Sequence, residues 1–95
     1  MTSMRASREA VARWNTAYAE QTAALFAAMR SDRPDPAPIR RLARAYREVA
    51  DAWRDMAGEL AIPLWARHAA AVAAEEFERR SAVEFARINP PRKES

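Results

Sequence analysis

Residues 39–58 read IRRLARAYREVADAWRDMAG. Ile39, Leu42, Tyr46, Val49, Trp53, Met56 and, just beyond, Leu60 recur at alternating three- and four-residue steps. With Ala43, Ala50 and Ala57 they fill an arc of roughly 140°, the width of a core-facing helix. The opposite side is wholly charged: Arg40, Arg44, Arg47, Glu48, Asp51, Arg54 and Asp55. Arg44–Glu48 and Arg47–Asp51 are spaced to pair along it. A strand has no use for this period, so the segment is a helix with one dry side.

On its N-terminal side stands residues 31–38, SDRPDPAP. Three prolines in five residues cannot continue a helix, because each lacks an N–H and restrains the residue before it. Asp35 then Pro36 reads as an N-cap and first helical position. Further upstream, Met4, Val11, Trp14, Tyr18, Leu25 and Met29 share one helical face, and Ser3 or Ser7 supplies a capping oxygen. On the C-terminal side Gly58 and Pro63 mark a second break, with Gly58 expected in the left-handed conformation and Pro63 opening the next helix. The rival is a helical hairpin whose long second helix is merely kinked at Pro63. The pattern predicts an all-α three-helix bundle, with helices over roughly 3–30, 37–57 and 62–88. It forms a single domain over 1–88, followed by a disordered tail over 89–95. The expected core is Val11, Trp14, Tyr18, Leu25, Leu42, Tyr46, Val49, Trp53, Met56, Trp65 and Val72.

Composition removes several kinds of chemistry. The chain has 95 residues, one glycine, no cysteine and one histidine. A single glycine leaves no glycine-rich phosphate loop. Without cysteine there are no disulfides, thiolate metal sites or thiol nucleophiles. Fifteen of the sixteen basic residues are Arg, and 24 residues are Ala. Both have GC-rich codons and both favour helix, which points to a bacterial protein from a GC-rich genome. No apolar run resembles a signal peptide or a membrane span, so a cytoplasmic location is expected.

His68 sits at the edge of an apolar helical face, with Glu75 two turns on. Ferritin-like helical proteins bind iron through Glu-x-x-His. The position three before His68 is Trp65, so no metal site is expected. The carboxylate pairs Asp51/Asp55 and Glu75/Glu76 lie among arginines on solvated faces, and none of the serines stands beside a base. General acid–base or nucleophilic catalysis needs a positioned, partly desolvated set. The sequence therefore predicts neither an enzyme nor a cofactor.

Two features point to partners. Residues 1–47 carry nine Arg and four acids, whereas residues 48–86 carry four Arg and eight acids. Arg30, Arg33, Arg40, Arg41, Arg44 and Arg47 gather around the proline joint, where positive charge opposes the dipole of the next helix. That patch supports a small basic DNA- or RNA-binding accessory protein as the alternative reading. The stronger feature is residues 62–77, apolar nearly all round, which two neighbours in a monomer cannot cover. Leu64, Trp65, Ala69, Val72 and Ala73 are the expected interface. The expected function is a self-associating, non-catalytic helical interaction or adaptor module of a bacterial assembly or regulator. A homodimer is the expected form, with another helical protein as a further candidate partner and no membrane.

Overall fold

The computed structural model describes residues 7–32, 35–59 and 61–89. Three helices account for nearly all of them: α1 (Arg8–Arg30), α2 (Ala37–Ala57) and α3 (Leu64–Ile88). No strand occurs among the described residues. No helix among them is long and apolar enough to cross a membrane.

The ends follow from local chemistry. Ser7 caps α1: its side-chain oxygen accepts from the Ala10 N–H at 3.1 Å, satisfying a donor that has no intrahelical partner. The helix thus starts at Arg8 rather than near residue 3; Ser3, Met4 and the tail over 90–95 lie outside the described residues. Asp35 does as its position predicts, accepting from the Ala37 N–H at 3.0 Å, with Pro36 already in helical conformation.

The second break is real. Pro63 is extended (ψ 151°) and α3 starts after it, so the kinked-hairpin alternative does not hold. Gly58 departs from expectation: its φ is −80°, and no residue among those described has a positive φ. The turn closes instead through the Gly58 N–H on the Arg54 carbonyl and the Glu59 N–H on the Met56 carbonyl, both at 3.0 Å. Arg67 reaches back from α3 and donates to the Ala57 carbonyl at 3.0 Å. A cation is thereby placed on the negative end of α2.

Helix α2 is the middle of the molecule. Both α1 and α3 pack on it, while no Cα of α1 comes within 8 Å of a Cα of α3 among the described residues. The bundle is accordingly flat, only 14 Å through its Cα atoms in the thinnest direction. Buried residues mark the seams: Ala10, Ala17 and Ala24 on α1, and Ala70, Ala74, Phe77 and Ser81 on α3. On α2 they are Leu42, Ala43, Ala45, Val49, Ala50 and Ala52, spread across both seams. Alanine lets helix backbones approach closely, so the seams are tight but hold little side-chain volume. Val49 is the largest fully buried side chain.

Bulk comes from a row of aromatic rings along one side of the layer. Trp14, Tyr18, Tyr46 and Trp53 are half-buried against Val49 and Phe77. Trp14 stacks tilted on Tyr18 at 4.3 Å and meets Trp53 edge-on at 5.4 Å. Tyr18 and Phe77, 5.7 Å apart at 79°, span α2 and join the two outer helices. Such edge-to-face pairs each add about 0.5–1.5 kcal/mol beyond the area they bury. The two indole N–H groups are buried without an oxygen or nitrogen acceptor, a cost that edge-to-face packing offsets only in part.

Three expected core residues are not in the core. Val11 is 39% exposed, Val72 52% and Trp65 75%. Trp65 and Val72 fall on the side of α3 opposite its buried line, since in a flat layer an outer helix has one neighbour instead of two, while Val11 stands in line with Tyr18 at the margin of the α1 contact. Phe77, absent from the expected core, is instead one of its centres.

Candidate functional site

The charged side of the layer is laced by ion pairs. Arg13 Nε meets Asp55 at 3.0 Å and Arg41 meets Glu20 at 2.8 Å, tying α1 to α2. Arg54 grips Glu78 with both arms, tying α2 to α3, with Nε to Oε2 at 3.1 Å. Glu20 and Glu78 are held below the usual carboxylate range, chiefly by these hydrogen bonds. Arg47–Asp51 forms along α2 at 3.7 Å, whereas the expected Arg44–Glu48 pair does not.

Between α1 and α2 on this side lies a hollow of about 390 Å³, bordered by Arg13, Thr16, Glu48, Asp51 and Asp55 together with alanines of both helices. It has no histidine and no serine, and Arg13 already neutralises Asp55. Among the described residues no group of three or more His, Cys, Asp or Glu side chains is arranged to hold a metal. His68 is exposed on α3.

The arginines singled out in the sequence divide in two. Arg40, Arg44 and Arg47 project from the exposed side of α2, and Arg30 ends α1. Arg41 is turned to Glu20 and Arg47 leans on Asp51. Arg33 lies outside the described residues. Arg30, Arg40, Arg41, Arg44 and Arg47 are thus all exposed, the ion pairs of Arg41 and Arg47 notwithstanding, and the exposed side of α2 also bears Glu48 and Asp51.

The apolar surface is elsewhere. At 100° per residue, the buried line of α3 (Ala70, Ala74, Phe77, Ser81) faces α2, and the opposite arc carries Trp65, Ala69 and Val72. Leu64 is 76% exposed; Ala69 is exposed and Ala73 half-buried beside them. Of the five residues expected to form an interface, Trp65, Ala69 and Val72 thus lie on the open side of the first turns of α3, whereas Leu64 and Ala73, nine residues apart, fall on its two opposite flanks. Continuing along it, Glu76 accepts from Arg79 at 2.6 Å and from Arg80 at 3.1 Å. Arg79, then Arg80, holds the Glu76 carboxyl down at about 2. Arg80 also lies 4.8 Å over the Phe77 ring, and Val83 is a further exposed apolar residue.

One buried polar group has no counterpart in the sequence reading. Ser81 is 4% exposed and donates to the Ala43 carbonyl at 2.8 Å across the α2–α3 seam. Its only sequence signal is a small residue in register with Ala70, Ala74 and Phe77.

The chain matches no family model, no curated protein and no solved structure.

Proposed function

We propose that the protein is a non-catalytic, self-associating helical module that docks through the open side of α3. One observation carries this reading: Leu64 and Trp65, both about three-quarters exposed, and Val72, about half exposed, stand together on an outer helix. A contiguous apolar patch of this kind marks a protein contact more often than an idle surface. Trp is also the residue type most often found as an interface anchor. The location in an outer helix suits the role, because the edge of a flat layer is open to a further helix. Its partners are a second copy of the chain and, within a larger assembly, helices of similar character.

Sedimentation at tens of micromolar tests the reading. A dimer is expected, and Trp65→Ala should weaken it by about 2 kcal/mol. Val72→Glu places an unpaired carboxylate in the contact and should give monomer. Both side chains lie outside the core, so the far-ultraviolet circular dichroism of the variants should match the parent. A parent chain that sediments as a monomer overturns the proposal.

A further inference from the structure

Deepening that reading and resting on it, we infer that the second copy pairs α3 with α3 in antiparallel fashion, centred on Val72. The open arc of α3 opposite its buried line holds Trp65, His68, Ala69, Val72, Glu76 and Arg79. These residues are distributed about Val72 in a way that complements its own reversal. Seven residues before Val72 is Trp65, and seven after is Arg79. Four before is His68, and three and four after are Glu75 and Glu76.

When two such helices run antiparallel with Val72 against Val72, each Trp65 ring meets the second copy's Arg79, and each His68 meets the second copy's Glu75 and Glu76. A guanidinium over an indole face is a favourable contact, and the chain already uses one within itself, Arg80 over Phe77. Arg79 is also held ready: its Nε donates to Glu76 at 3.0 Å, which fixes the plane of the guanidinium. The parallel alternative sets Glu76 on Glu76 and Arg79 on Arg79, a like-charge arrangement that disfavours a partner. Ala69 beside the seam allows the backbones close approach. A two-fold axis through this seam makes the contact isologous and closed. The two flat layers then join edge to edge with the α3 helices in the middle, and each α3 gains the second neighbour it lacks. A two-helix seam lies at the small end of interface sizes, so a weak, reversible dimer is expected.

Single-cysteine cross-linking tests the register, since the chain has no cysteine of its own. A disulfide needs Cα atoms within about 7 Å, so Val72→Cys at the axis should oxidise to a covalent dimer. Val83→Cys, eleven residues from the axis, should not. Mixing His68→Cys with Glu75→Cys chains should give a hetero-disulfide well beyond what either forms alone. Arg79→Glu should raise the dissociation constant about tenfold with the helix content unchanged, a loss of ~1.4 kcal/mol. If the parent is a dimer but Val83→Cys cross-links as readily as Val72→Cys, or Val72→Cys and the mixed pair both fail, the antiparallel register is wrong and self-association stands. If the parent is a monomer, the functional reading fails, and the register with it.

Discussion

Helices α2 and α3 are similar in length and opposite in design. The sides of α2 are sharply divided, apolar on one arc and charged on the other, and both its neighbours lie along the apolar arc. The first half of α3 is apolar on nearly every side, yet only one line of it meets α2. The buried part of that line is Ala70, Ala74, Phe77 and Ser81. A helix whose pattern matches its cover is a finished structural element. One with more apolar surface than cover has a side left over, and in this chain that side contains Trp65 and Val72, with Leu64 on its flank.

The comparison breaks most visibly if residues of the same class are removed from the two sides of α3. Phe77 touches both Tyr18 and Tyr46, joining all three helices. Its truncation to Ala should cost about 3–5 kcal/mol, the usual range for a buried aromatic. Trp65→Ala, three-quarters exposed, should change the unfolding free energy of the dilute monomer by less than ~0.5 kcal/mol. Urea denaturation at low protein concentration measures both. Equal losses would mean that the two sides of α3 are not different after all.

A smaller effect sharpens the account of the α2–α3 seam. Ser81→Ala removes the hydroxyl that bonds the Ala43 carbonyl and should cost about 0.5–1.5 kcal/mol in the same assay. Ser81→Leu should cost more, because the seam is alanine-tight and an added isobutyl group forces the helices apart.

The smallest effect concerns the charged surface. The carboxyls of Glu76, Glu20 and Glu78 all lie below their ordinary value of 4.5, each chiefly through an arginine hydrogen bond. Carboxyls depressed in the folded state contribute stability above pH 4.5, and that stability is lost as pH falls through their folded values, about 2 for Glu76. The urea midpoint should therefore hold steady from neutral pH down to about 5 and decline between about 4.5 and 2. Glu76→Gln should flatten part of that decline. All three groups are solvent-exposed and such pairs contribute little each, so the slope should be shallow and should weaken further in high salt.

Much of the architecture was legible in residues 31–58. The prolines of the joint, the Asp35 cap and the six apolar positions from Ile39 to Met56 define a helix and its start without reference to anything else. Ser7 was one of two serines offered as the cap of α1, and only the fold distinguishes it from Ser3. Gly58 misled because glycine after a helix commonly adopts a left-handed conformation, whereas here the chain turns with ordinary φ. The candidate surface was legible as an excess: Leu64, Trp65, Ala69, Val72 and Ala73 were more apolar residues than two neighbours could cover. The same sequence also placed Trp65 and Val72 in the core, and periodicity alone had no means of deciding between these two uses.

By itself, the sequence determined that the chain is helical, where α2 begins, that a break follows it, and which side of α2 is dry. These are local properties, set by the period of apolar side chains and by residues that lack an N–H or supply a cap. Only the tertiary structure decided that α1 and α3 flank α2 without touching through their backbones, that Phe77 and Ser81 are buried, and that Trp65 and Val72 are exposed. A helix records in its pattern how much apolar surface it has, but not how many neighbours it will meet or from which direction. With alanine, equally at ease buried or exposed, at about a quarter of all positions, that choice was left to packing.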